Sequence, residues 1–171
     1  GGRTNLKHAY YIRNVTTGGG ESYQSASRTS WTKTFHSLGT FEIRQVVTDS
    51  AGQTDQAIRK ITITNLKPSA TIDQPGSTSS SSPEKLDTTR PTFRWTYRDS
   101  DGDAQARYQI RISRYDGTNA ADSGMIYSSD KQWSPANPLP ENVNLQVRVR
   151  VHDGHEWSDW SNIRYFYINT N

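Results

Sequence analysis

The sequence contains no cysteine and a single methionine. Without thiols there is no disulfide framework and no thiolate metal centre. Small secreted animal domains commonly rely on disulfides, so their absence leans towards a bacterial, archaeal or phage source. Apolar residues are scarce as well, at 31% of the chain. No apolar run approaches the roughly 18–20 residues that a bilayer-spanning helix needs, so no membrane insertion is expected. A large charge imbalance is also missing. Lys and Arg number 20 against 17 acidic residues, a net charge of +3, and the basic residues are scattered. Nucleic-acid binding needs a clustered basic footprint, so no nucleic-acid partner is expected. No stretch of ten or more residues shows a capped 3.6-residue period, which argues against helices. The chain opens on Gly1-Gly2 rather than Met, with no leader, and reads as a segment of a longer protein.

What the sequence does contain is period-2 alternation. It runs through Phe41–Val47, Ala57–Thr64, Pro91–Tyr97, Tyr108–Ile112, Leu145–Val151 and Ile163–Ile168. Alternation of apolar and polar residues marks strands with one buried face. In Leu145–Val151, the residues Leu145, Val147, Val149 and Val151 share one face, and Gln146, Arg148 and Arg150 share the other. Nine Tyr, five Trp and four Phe supply bulky core material, and Trp95 and Tyr108 are expected in the core. Turn signals separate the runs, among them Asp49-Ser50-Ala51-Gly52, Asp101-Gly102, Asp116-Gly117 and Asp153-Gly154. The fold class read from this pattern is all-β, as two tandem β-sandwiches.

A boundary falls near Asn65–Pro68, because Pro68 cannot continue a central strand. The expected domains are residues 1–67 and 68–171. A short strand, Ala70–Asp73, follows the boundary. The Ser/Thr-rich stretch Ser77–Ser82 reads as a loop inside the second module. The first module is short for a seven-stranded sandwich, so an incomplete module lacking its first strands is one expectation. An incomplete sheet leaves an edge that recruits partners, and dimerisation through the first module follows as a further expectation.

Two families are similar to parts of this sequence. Gly39, Phe41, Val47, Asp49 and Gly52 lie in a pattern that resembles the C-terminal half of a PKD-like domain. Residues 68–171 resemble a fibronectin type III-like immunoglobulin fold of bacterial surface proteins and secreted glycosidases. That resemblance rests on Pro91, Phe93 and Trp95, on Asp99, Asp101, Gly102, Asp103 and Gln105, on Tyr108-Gln109-Ile110, and on Trp157-Ser158-Asp159-Trp160-Ser161. It implies a spacer, adhesin or accessory module, and a fold of this kind does not fix its partner.

Three groups of residues are candidate sites. Trp157, Trp160, Arg148 and Arg150 are expected to form an Arg–Trp stack, as in the WSxWS motif of cytokine receptors, whose tryptophans interleave with arginines. Asp99, Asp101 and Asp103 crowd three carboxylates into one loop. They form either a polar turn or a Ca²⁺ site, since Ca²⁺ takes oxygen ligands and relieves their repulsion. Trp31 and Trp133 are candidate platforms for a sugar ring, with Tyr10, Tyr11 and Tyr23 as further aromatics, although strand aromatics are more often core. No nucleophile elbow, phosphate-cradling glycine loop or zinc-binding histidine pair occurs, and neither catalytic residues nor an organic cofactor are expected. The expected function is a non-catalytic structural, spacer or adhesion module of a large secreted or cell-surface protein. Its partners would be other domains of the same polypeptide, or a cell-surface glycan or protein. The alternatives are a carbohydrate-binding accessory of a secreted hydrolase and a phage tail or fibre module.

Overall fold

The computed structural model of the chain describes residues 5–27 and 30–171. Among the described residues every regular element is a β-strand. The chain divides into two compact units, Gly1–Asn65 and Leu66–Asn171. Leu66 and Lys67 belong to the second because its side chains hold them. The Leu66 N–H donates to Asp101 Oδ2 at 2.6 Å, and Lys67 Nζ lies 2.8 Å from Asp159 Oδ2.

The first unit is one antiparallel sheet. Its strands are β1 (Lys7–Asn14), β2 (Ser22–Ser25), β3 (Gly39–Thr48) and β4 (Thr54–Ile63), in the order β2-β1-β3-β4. The β3–β4 hairpin closes where the turn signal predicts. Asp49 Oδ1 accepts the N–H groups of Ala51 and Gln53, each at 2.9 Å, and Gly52 takes φ +81°, a conformation that favours glycine. Strand β1 sends alternate aromatics to opposite faces. Tyr10 stacks on Trp31 with ring centroids 5.5 Å apart, and Tyr11 meets Tyr23 edge-on at 5.8 Å. The buried apolar side chains described in this unit are Ile12 and Phe41. Strand β4 is exposed along most of its length, Ile58 included.

The second unit is a two-sheet sandwich. Its strands are β5 (Ser69–Gln74), β6 (Glu84–Leu86), β7 (Phe93–Arg98), β8 (Arg107–Arg114), β9 (Asn119–Asp122), β10 (Gln132–Trp133), β11 (Asn144–His152) and β12 (Arg164–Ile168). One sheet has the order β10-β7-β5 and the other β6-β12-β11-β8-β9. Fourteen buried apolar residues from both sheets and their loops form one core. Leu145, Val147, Val149 and Val151 face inward and are fully buried, as are Phe93 and Phe166, whose rings pack at 5.4 Å. Trp95 and Tyr108 are buried as expected, at 4.8 Å from each other.

The chain crosses from one sheet to the other at Gly76, which takes φ +118°. A Cβ there would lie 2.6 Å from Cβ of Arg164, so only glycine lets the two backbones approach. Ser77 then bridges to Tyr165, and β6 runs parallel to β12. Five strands lack a readable alternation: β1, β2, β6, β9 and β10. Strand β1 carries Tyr10 and Tyr11 side by side, and the other four are two to four residues long, too short for a period to show.

Candidate functional site

The outer face of β8 and β11 carries the most organised constellation of the second unit. Alternation puts Gln146, Arg148 and Arg150 of β11 outward, opposite Ser113, Arg111 and Gln109 of β8 in the register. The segment 157–161 then lies along β11 and supplies the rings. Its two serines dock it. Val151 N–H donates to Ser158 Oγ, and Val149 N–H to Ser161 Oγ, each at 3.0 Å. In return the N–H groups of Ser158 and Ser161 donate to the carbonyls of Val151 and Val149, each at 2.8 Å. The serines thus stand in for a neighbouring strand and satisfy edge groups that would otherwise be orphaned.

That docking leaves the indoles over the arginines. Arg150 Cζ lies 4.6 Å from the Trp157 ring centroid and 5.0 Å from that of Trp160. Arg148 Cζ is 4.8 Å and Arg111 Cζ 5.4 Å from the Trp160 centroid. A guanidinium over an indole gains about 0.5–2 kcal/mol according to its desolvation. The structure therefore brings together Arg148, Arg150, Trp157 and Trp160, and adds Arg111 from β8. Hydrogen bonds anchor part of the row. Arg150 donates to Gln109 Oε1 at 3.0 and 2.7 Å, and Gln109 donates to Asp122 Oδ1 at 2.8 Å. Arg111 Nε donates to Asp122 Oδ2 at 2.9 Å. Burial opposes ionisation of Asp122, but hydrogen bonds from Gln109, Gly124 and Arg111 outweigh it and hold the carboxyl below its usual range. His152 closes one end, its ring edge-on to Trp157 at 5.0 Å. Burial, then the charge of Arg107, depress its pKa and favour the neutral imidazole.

The aspartate loop is built differently. The ligand oxygens of Asp99, Asp101 and Asp103 lie within 4.8 Å of one another. Asp99 Oδ1 accepts the N–H groups of Asp101 at 2.8 Å and Asp103 at 3.1 Å, which folds the loop back on itself. The Tyr97 hydroxyl has one proton and gives it to the Asp103 carbonyl at 2.8 Å. Asp99 Oδ2 is buried and takes no hydrogen bond. Burial first, and then the charges of Asp99, Asp153 and Asp103, raise the Tyr97 pKa far above the usual tyrosine value. Such a pocket of negative potential suits a hard cation with oxygen ligands.

The candidate sugar platforms are half-buried. Trp31 belongs to the first unit and lies on Tyr10. Trp133 lies in β10 of the second unit, packed against the core, and borders a cleft of about 350 Å³ that Ala121, Asp122 and Asn137 also line.

Against this geometry, a family model for the Rha78A-like N-terminal immunoglobulin domain matches residues 72–170. The chain belongs to that family. Immunoglobulin-like domains are generally non-catalytic modules and typical of extracellular proteins, and residues 72–170 match such a domain. No helix among its described residues is long and apolar enough to cross a membrane.

Solved structures similar to the chain include an α-L-rhamnosidase of Streptomyces avermitilis complexed with L-rhamnose. It is 22% identical, over 59% of this chain and 11% of its own, at a TM-score of 0.47. The fibronectin(III)-like modules of Clostridium thermocellum CbhA are 15% identical over 94% of this chain and 76% of theirs, at 0.41. The chicken CNTN1 FN1–FN3 domains are 10% identical over 96% and 57%, at 0.43. The chain thus covers about a tenth of the rhamnosidase's length. No curated protein matches it.

Sequence reasoning missed three polar side chains of the Rha78A-like domain that brace its fold. Gln105 is buried, and both its amide oxygen and its amide nitrogen are bonded. It accepts from Trp95 Nε1 at 3.0 Å and donates to the carbonyls of Ser128 and Asp130 at 3.1 and 2.7 Å. Asn162 receives the Ile72 N–H at 2.9 Å and so ties β5 to the start of β12. Asp122 neutralises Arg111. Gln105 stands in the same motif as Asp99 and Asp103, but the two carbonyls it donates to lie more than twenty residues further along the chain. Nothing local in the sequence signals them.

Proposed function

We propose that this chain is a non-catalytic spacer in a larger secreted or cell-surface carbohydrate-active protein, of bacterial type. The family match over residues 72–170 carries the reading. The construction of the second unit supports it. Its core is continuous across both sheets, and most of its outer polar side chains bond to their neighbours. A block of this kind presents a stiff outer face to other domains of the same polypeptide, and its work is positional. The alternatives of an adhesin and of a phage fibre module have no comparable support.

The test is hydrolysis. Purified chain incubated with an aryl α-L-rhamnoside is expected to release no more aglycone than buffer does. Turnover that scales with chain concentration would overturn the reading.

A second reading concerns stiffening by Ca²⁺, favoured by the buried, unbonded Asp99 Oδ2 beside the carboxylates of Asp101 and Asp103. These residues would hold the ion, with the Tyr97–Asp103 bond fixing the loop. A ligand that binds only the folded state adds about 2.7 kcal/mol at a hundred times its dissociation constant. Unfolding midpoints are therefore expected to rise in millimolar Ca²⁺, and the rise to vanish in Asp101→Ala. Equal midpoints with Ca²⁺ and with chelator would leave the loop a polar turn. In the first unit, which we read as PKD-like, the outer edge of β4 is the place where a second copy would pair. Sedimentation giving monomer at every concentration would remove that partner.

A further inference from the structure

The outer face of β8 and β11 holds more positive charge than it neutralises. Arg111 and Arg148 stand directly opposite each other in the register, and like charges so placed repel. Asp122 relieves one of them. It pairs with Arg111 Nη2 at 2.9 Å and spends its remaining acceptor capacity on Gln109 and the Gly124 N–H. Arg148 has no ion pair or hydrogen bond among the described residues. It lies half-buried against Trp160 at 4.8 Å. A guanidinium carries five N–H donors, and the indole face satisfies none of them, so a cation partly withdrawn from water with no acceptor for its N–H groups is costly.

Both arginines open onto one cleft of about 290 Å³, whose other walls include Ser113, Asn119, Asp122 and Gln146. Ser113 and Asn119 offer hydroxyl and amide groups suited to sugar hydroxyls, whereas Gln146 donates to Ser113 Oγ at 3.2 Å and the Asp122 carboxylate is taken up by Arg111, Gln109 and Gly124. The planar fork of arginine matches a carboxylate in two parallel bonds, and the Trp160 face fixes the plane of that fork.

We propose that this cleft binds a carboxylate-bearing sugar, a uronic acid unit within a polysaccharide. Arg148 holds the carboxylate, Arg111 adds its charge from the opposite strand, and Ser113 and Asn119 bond the ring hydroxyls. A neutral sugar leaves Arg148 uncompensated and is discriminated against for that reason. The assignment of a sugar rests on the proposed carbohydrate-active function; the assignment of an anion rests on Arg148 and its register alone.

The test titrates the full chain with trigalacturonate while amide and side-chain NMR signals are followed. Saturable shifts are expected at Arg111, Asn119, Gln146, Arg148 and the Trp160 indole N–H, and to weaken as salt is raised. Arg148→Gln is expected to weaken binding about tenfold or more, and Arg148→Lys to restore part of it. The carboxyl-reduced trisaccharide is expected to give no shift. If Arg148→Gln lowers the unfolding midpoint, Asn119→Ala at the cleft rim serves as the second variant, with weaker binding expected. Equal responses to the charged and reduced trisaccharides overturn the proposal, as do shifts centred on Trp133 or an affinity unmoved by both variants. Absence of any response also overturns it, yet leaves the non-catalytic reading standing. Only hydrolysis by the chain brings that reading down.

Discussion

The two units use the same strand-forming residues to different ends. In the second, alternating apolar residues from two sheets meet, and Leu145, Val147, Val149 and Val151 are removed from water entirely. In the first, β3 and β4 pair over ten consecutive positions without a bulge, yet the described residues contribute only Ile12 and Phe41 as buried apolar side chains. Backbone pairing and β-propensity suffice to make a sheet. A core needs a second layer to close over it. The stabilising role of side chains shifts accordingly. The first unit is held along its surface by Arg44 with Glu21 at 2.6 Å and by Arg13 with Glu42 at 3.0 Å. The second is held from within.

The sharpest way to break that contrast is to truncate one buried ring in each unit. Phe166→Ala in the second is expected to cost about 3–5 kcal/mol, as large core truncations do. Phe41→Ala in the first is expected to cost about 1–3 kcal/mol, the transfer contribution alone. Hydrogen exchange read strand by strand during denaturant unfolding assigns each loss to its unit. Equal losses would mean that the first unit also has a closed core. Gly76→Ala comes next. A positive φ with Cβ in collision at Arg164 is expected to cost about 1–3 kcal/mol, whereas Gly20→Ala in the first unit, where nothing lies within 4 Å, leaves the midpoint in place.

The surface cations sharpen the comparison further. Arg150→Ala removes contacts to two indoles and two hydrogen bonds, and is expected to lower the second unit's stability by about 1–2 kcal/mol at low and high salt alike. Arg44→Ala in the first unit should have a smaller effect that disappears at high salt. The smallest expected effect is on pH. The folded His152 pKa lies below the unfolded value of 6.5, so the unfolded chain takes up a proton first as pH falls. The contribution is therefore intact above the unfolded value and is lost as pH falls through the folded one. Denaturation midpoints of wild type and His152→Gln between neutral and mildly acidic pH check this: the wild type declines more steeply.

A good part of the second unit is legible in the amino-acid sequence. Alternation locates four of its eight strands and the domain boundary a fifth, Asp and Gly mark its turns, and the pairing of WSxWS with outward arginines points to the stacked row. Strands β6, β9 and β10 are not legible, because two to four residues carry no period. Arg111 escapes notice for a different reason. Its own strand announces only an outward side chain, and its place beside Trp160 follows from the register of β8 on β11.

What the sequence determined by itself is which residues face in and which face out, since a strand's period is a local property of the pleated backbone. It also determined where glycine had to stand to turn the hairpin at Gly52. What only the tertiary structure decided is who meets whom. Asp122 could have neutralised either arginine. The pairing of β9 with β8 puts Arg111 directly opposite it and leaves Arg148 without an acid. Register is set by long-range pairing and by the packing of a buried face, and no window of adjacent residues contains that information.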